Sequence, residues 1–410
     1  MKLAGAALLL SSTSTAFRLD PQAPLGSNAP TYRRELVSLH KSLVEISSVT
    51  YTENAVGQFL VDYLTERNFV ADLEFLPPSN TSDSEKPRFN VLAWPGPNRH
   101  PSPKVLVTSH IDTVPPHIPY SRTDEEPNGE TLIAGRGSVD AKASVAAQIT
   151  AVFDLLGSRR IEAGDVMLLF VVGEERTGDG MRYFSDTMAS LDPGRRPNFR
   201  AAIYGEPTEG KLACGHKGFF GCTVTARGKA GHSGYPWLGK SATEVLIRGL
   251  VEVLDADLGS SEMFGNTTVN VGMIEGGVAL NVIPEVAVAR LGGRVAIGPE
   301  LDGGRIVIER LKEVLRGVDE DAFELDCNNG YGVVECACDV PGFETITVNY
   351  GTDVPNFKGN HTRYLYGPGS ILVAHGADEA IKLKDLEAGV EDFKKLILHV
   401  VRDEDEAGEL

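Results

Sequence analysis

The chain has 410 residues, 42% hydrophobic and 23% charged, a composition that suits a globular protein with a sizeable core and excludes a fibre or a low-complexity chain. That length exceeds the usual single domain, so two packing units, or one domain carrying an insertion, are expected. The net charge of −18 argues against nucleic acid or an anionic membrane surface as a partner, because both demand clustered Lys and Arg.

Residues 1–16 have the three parts of a signal peptide: Lys2, an apolar core from Leu3 to Leu10, and the small-residue run Ser14-Thr15-Ala16 for cleavage. The mature protein is therefore expected outside the cell, or in a vacuole or another lumen of the secretory pathway. Sequons at Asn80, Asn266 and Asn360 would then be open to glycosylation. No later run approaches the roughly 20 apolar residues that span a bilayer.

Helix-like apolar spacing follows over 31–47 and 53–68, and then short aliphatic runs alternate with a helix. Lys104 to Ser109, Asp165 to Val172 and Ala201 to Tyr204 read as strands without a solvent face, and Ser144 to Leu156 as the helix between the first two. This alternation predicts an α/β fold with a mostly parallel central sheet covered by helices on both faces. From Cys214 the texture changes. Strands over 219–227, 267–274, 284–297 and Ala322 to Asp326, with helices over 240–254 and Gly303 to Leu315, make a ferredoxin-like α+β set. The α/β pattern then resumes, with Ser370 to Ala374 as a strand and 379–402 as a closing helix. The expected organisation is a discontinuous catalytic domain, 17–213 and 327–410, interrupted by a smaller inserted domain over 214–326. Five cysteines, Cys214, Cys222, Cys327, Cys336 and Cys338, gather in one region. In an oxidising compartment an odd number leaves at least one free or intermolecular, and the pairing stays open.

His110, Asp112, Asp140, Glu174, Glu175 and Glu206 fall at or just beyond strand C-termini or in the loops that follow, the edge where open α/β sheets bind ligands. The polar side chains of His110 and Asp112 share one side, which suits an imidazole ligand and the carboxylate that orients it, though such a pair also occurs on plain surfaces. Glu174-Glu175 directly after an apolar strand must be solvated or held by cations. Asp140 follows a Gly-rich turn and precedes a helix, so by itself it also reads as an N-cap. His375 closes an apolar run and alone is equally a structural histidine. No Gly-x-Ser-x-Gly falls at a strand-to-helix turn, which leaves an esterase reading without its nucleophile.

Taken together, Ser109-His110-Ile111-Asp112-Thr113-Val114-Pro115, Gly135-Arg136-Gly137 up to Asp140, Glu174-Glu175, Glu206-Pro207, Gly231-His232-Ser233, Asn281-Val282-Ile283-Pro284 and His375 resemble the zinc-dependent aminoacylase, acetylornithine deacetylase and glutamate carboxypeptidase family over nearly the whole mature chain. The resemblance makes the inserted domain a lid and implies two zinc ions per subunit, or cobalt or manganese in their place, bridged by Asp140. His110 and Glu206 would complete one side, Glu175 and His375 the other. Glu174 would be the general base, Asp112 would orient His110, and His232 would reach across a lid-mediated homodimer to stabilise the oxyanion. Arg294 would grip a substrate carboxylate, with Lys217 and Asn270 as weaker members of the same wall. Two departures stand out: Ala141-Lys142-Ala143 where the family has Met-Lys-Gly, and Gly292-Gly293-Arg294 where it has Asp-x-Arg. The reading that follows is a secreted di-zinc metallopeptidase, preferably a carboxypeptidase, cutting an amide bond in a peptide. An N-acyl-amino-acid deacylase is the alternative, and a non-catalytic binding protein on the same fold a more distant one.

Overall fold

A computed structural model describes residues 29–78, 86–97 and 102–402, so the leader-like segment and Asn80 lie outside the described residues. Helices α1 (Arg33–Glu45) and α2 (Asn54–Thr65) precede an antiparallel pair, β1 (Phe69–Phe75) and β2 (Phe89–Pro95). Then come β3 (Val105–His110), α3 (Lys142–Gly157), β4 (Val166–Val171), α4 (Asp179–Ser190), β5 (Ala201–Gly205) and β6 (Leu212–His216). The next stretch holds β7 (Gly218–Arg227), α5 (Ala242–Asp255), β8 (Thr268–Gly276), β9 (Val286–Val295), α6 (Gly303–Val318) and β10 (Phe323–Cys327). After it come β11 (Thr345–Val348), β12 (Thr362–Tyr366) and α7 (Leu383–Arg402).

The large sheet runs β1-β2-β4-β3-β5-β12-β6, and its middle strands β4, β3, β5 and β12 are parallel. Strand periodicity divides their side chains between two cores. Val105, Val107, Leu168 and Phe170 pack with α1, α2, α3 and α7, while Leu106, Met167, Leu169 and Val171 meet Met181 and Phe184 of α4. Both faces are covered, so these strands carry aliphatic residues without a polar side. Within the inserted stretch the sheet order is β8-β9-β7-β10, antiparallel throughout, the ferredoxin-like arrangement the sequence predicts. Phe220, Cys222, Val224 and Ala226 face Leu246, Leu250, Val307 and Leu311 of α5 and α6; Phe219, Gly221, Thr223 and Thr225 lie on the opposite face.

Disulfides Cys214–Cys338 and Cys222–Cys327 fill in the pairing left open by the sequence, and Cys336 is the free thiol. The closing segment departs from expectation. Ile371–Val373 is a single 3-10 turn, with Leu372 exposed and its N–H donating to Ser370 Oγ, so the apolar triplet is not a strand. The strand before it is β12, hidden in the sequence by its Arg and Tyr residues. The expected helix over 379–402 splits into a short strand, Ala380–Lys382, and α7. No helix among the described residues is long and apolar enough to cross a membrane.

Candidate metal centre

The C-terminal ends of the parallel strands converge as the sequence predicts. His110 closes β3, Glu174 and Glu175 follow β4, Glu206 follows β5, and His375 lies in the loop beyond β12. Asp140, on the connection into α3, stands between them. Its Oδ1 lies 3.0 Å from His110 Nε2 and its Oδ2 3.2 Å from His375 Nε2. His110 Nε2 is also 3.7 Å from Glu206 Oε2, and His375 Nε2 is 3.0 Å from Glu175 Oε2. Two groups of ligand atoms therefore share one carboxylate: His110, Asp140 and Glu206, and Asp140, Glu175 and His375. The N-cap position of α3 is Ala141, without a side-chain cap, so Asp140 does not serve as the cap its sequence context also allowed.

Two observations test whether this set fits cations. Glu175 Oε1 is buried without a hydrogen-bond partner, and the carboxylates of Asp140 and Glu175 hold the His375 imidazole up at about 10. A surplus of buried negative charge with an orphaned acceptor is the electrostatic complement of a bound cation. His110 Nδ1 is 3.0 Å from the Asp112 carbonyl oxygen, which directs Nε2 towards the cluster as a ligating nitrogen requires. The orientation thus comes from Asp112, through its backbone, with its carboxylate Oδ1 3.6 Å from the same nitrogen. The carboxylate also accepts from Thr50 Oγ1 at 2.8 Å and from the N–H groups of Glu174 and Glu175 at 3.1 and 3.2 Å. Asp112 therefore sets the loop that carries the two glutamates.

That loop turns at Gly173, whose φ of +79° and crowding by Asp179 and Arg88 exclude a side chain. Burial, with Glu206 close by, pushes the Glu174 carboxyl well above its ordinary range. Arg136 and Glu379 brace the opposite side. Arg136 Nη1 donates to Glu379 Oε2 at 2.6 Å and Nη2 to the His375 carbonyl at 3.2 Å, while Glu379 Oε1 accepts from the N–H groups of Val139 and Asp140.

A cavity of about 280 Å³ opens over the cluster, lined by Glu174, Arg176, Arg182, Phe219, Arg294, Tyr331, Tyr350, Asp353 and Asn356 among others. Of the expected substrate residues, Arg294 lies in it. Lys217 does not: its ammonium donates to the Asn266 carbonyl at 2.6 Å. Asn270 is exposed on β8, and His232 is exposed on a short strand paired with Val282–Ile283, its Nδ1 accepting from Gly234 N. Both lie outside the cavity of their own chain. Asn266 and Asn360 are exposed, as sequons require. The segment 350–356 carries no strand-end or motif signal, and so its cavity residues, with Phe219 and Tyr331, escape sequence reasoning.

A family model described as peptidase family M20/M25/M40 matches residues 106–399. The chain belongs to this family. It is a hydrolase of peptide bonds, and its fold is that of its relatives. Among these, a peptidase M20 domain-containing protein of Sordaria macrospora is 55% identical over 391 residues, covering 91% of this chain and 86% of that one. A protein of Arthroderma otae named "Probable carboxypeptidase" is 44% identical over 405 residues, covering 90% and 87%. Among solved structures, a tripeptidase of Staphylococcus aureus superposes with a TM-score of 0.72 at 19% identity, covering 90% of this chain and 99% of its own. A dinuclear metal-binding peptidase of Bacillus subtilis reaches 0.59 at 16% identity, covering 90% and 99%.

Proposed function

We propose that this M20 hydrolase is a secreted di-zinc carboxypeptidase. The observation that carries the reading is Asp140, whose two carboxylate oxygens each face one half of a pair of N/O ligand groups. His110 and Glu206 would hold one cation with it, Glu175 and His375 the other; zinc suits such ligands, and cobalt or manganese could replace it. When bound, the metals supply Lewis acidity that activates a water and polarises the scissile carbonyl. Glu174, at the cavity wall, takes a proton as attack proceeds and returns it to the leaving nitrogen. Arg294 holds the terminal carboxylate of the peptide through its planar fork. The names of the fungal relatives favour release of a C-terminal residue over deacylation.

His232, outside its own cavity, serves the site of a second copy, where it would hydrogen-bond the developing oxyanion. In support, β8 is the unpaired edge of the lid sheet, and Ile247, Val251 and Leu254 leave an apolar stripe exposed on α5. Sedimentation should find a dimer; a monomer that hydrolyses peptides at full rate would remove this role. The two disulfides support an oxidising compartment for the folded chain, in line with export. The test of the whole reading is a panel of free peptides, C-terminally amidated peptides and N-acetyl amino acids given to the zinc-loaded protein. Release of the last residue from free peptides alone is expected, and cleavage confined to N-acetyl amino acids would overturn it.

A further inference from the structure

The lid wall of the cavity is a single cross-strand row. Arg294 of β9 is paired with Phe219 of β7, and Phe219 bridges on its other side to Tyr331. Directly opposed residues of antiparallel strands present their side chains on one face, with Cβ atoms about 4.5–5.5 Å apart. Here it is the face turned away from α5 and α6, and all three side chains line the cavity. The guanidinium carbon of Arg294 lies 5.4 Å from the centre of the Phe219 ring.

On the β7 side the neighbouring positions are glycines, while Thr268 and Asn270 of β8 oppose Arg294 and Gly292 on the other. At Gly292, on the same face as Arg294, the nearest atom to an added Cβ would be Phe219 Cε2 at 3.7 Å, so the ring borders a place without a side chain. Opposite it in register stands Gly221. Tyr331 extends the surface towards Gly351, where any Cβ would collide with its hydroxyl. On its β7 side the surface beside Arg294 is thus aromatic, while the other guanidinium groups of the cavity, Arg176 and Arg182, belong to the segment after β4 and to α4.

A C-terminal residue carries its carboxylate and its side chain on one carbon, so their binding groups must lie within the reach of one residue, as these do. We infer that Phe219 and Tyr331 form the subsite for the side chain of the substrate's last residue, and that the enzyme selects large apolar or aromatic residues there. The inference rests on the carboxypeptidase reading, through the role of Arg294. Apolar pockets discriminate by size; the other charged groups of the cavity, Arg176, Arg182 and Asp353, come from other segments, and the aromatic wall beside Arg294 offers a side chain contact area rather than an ion pair.

The test is kcat/KM for N-blocked dipeptides ending in Phe, Leu, Gly, Glu or Lys, with the zinc-loaded full chain. Phe and Leu are expected to exceed Gly, Glu and Lys by at least about tenfold. Phe219→Ala should shrink the Phe-to-Gly ratio by about tenfold, chiefly through KM. Gly292→Asp, which sets a carboxylate beside the ring, should lower the rate for Phe relative to Lys; it decides the matter if Phe219→Ala fails to fold by circular dichroism. A flat series, a preference for Glu or Lys, or an unchanged Phe-to-Gly ratio in folded variants overturns the inference. If none of the dipeptides is cut but N-acetyl-Phe and N-acetyl-Glu are, the carboxypeptidase reading has failed by itself. The subsite is then judged by the ratio between those two, where a preference for Glu overturns it.

Discussion

Glu174, half-buried, and Glu379, fully buried, are acids beside the same cluster, yet they answer to different measurements. Glu174 lines the cavity, and on the proposed mechanism it moves the proton, so Glu174→Gln should leave metal content intact while the hydrolysis rate falls by about 10²- to 10⁴-fold. Atomic absorption with a rate assay checks this, and an unchanged rate would remove its role as base. Glu379 is almost wholly buried against Arg136 and never faces substrate. Removing it strands a buried guanidinium, so Glu379→Ala should cost about 3–5 kcal/mol in urea unfolding. Sequence made the first of these legible only in company: after an apolar strand the acid could equally be a solvated turn, and the other strand-end groups and the family resemblance singled it out. It did not make the second legible: Glu379 works by holding Arg136 and the backbone of Val139 and Asp140, and a partner far along the chain leaves no local mark. Asp353, buried and fixed at 2.7 Å by Asn356 three residues on, escaped for another reason: its segment has no strand-end or motif signal.

Among the elements, the strands β3, β4 and β5 were readable because burial on both faces makes them largely aliphatic, with the polar residues of β3 gathered at its C-terminal end. β12 was not, since Arg363 and two tyrosines break its apolar run, and the triplet Ile371-Leu372-Val373 took its place in the reading although Leu372 is 87% exposed. The two disulfides act at this scale too. Cys222–Cys327 joins β7 to the end of β10, and Cys214–Cys338 joins β6 to the returning chain, across sequence separations of 105 and 124 residues. Closing loops of that size restricts the unfolded chain, and breaking both should cost about 2–5 kcal/mol each. A reductant is therefore expected to lower the melting temperature clearly. An unaltered melting curve would contradict the pairing.

For the molecule as a whole, α/β layering and the ferredoxin-like inserted set followed from periodicity, while two wholly buried histidines were not singled out, although His40 lies on the apolar face of α1 with Leu36, Val37, Leu43 and Val44, and His216 ends β6. Burial lowers both from an ordinary 6.5 to about 4. Each is neutral in the fold, so above about pH 6.5 neither costs stability; as pH falls towards 4 the unfolded chain binds protons that the fold refuses. Stability should decline over that window by up to about 3 kcal/mol per histidine, read as urea midpoints at several pH values. A midpoint that stays level below neutrality would show that the two rings are not held neutral.

β12 lies between β5 and β6, although the whole lid separates it from them in the chain. On the ribosome, the growing protein must therefore carry a sheet with a missing central member while the lid is translated. At about 5–20 residues per second, Glu206 and His375 emerge roughly ten to thirty seconds apart. For that interval β5 and β6 expose unpaired edges that invite intermolecular pairing, and chaperone cover matters most then. Metal cannot be captured by the full ligand set until the final stretch has been threaded into the gap.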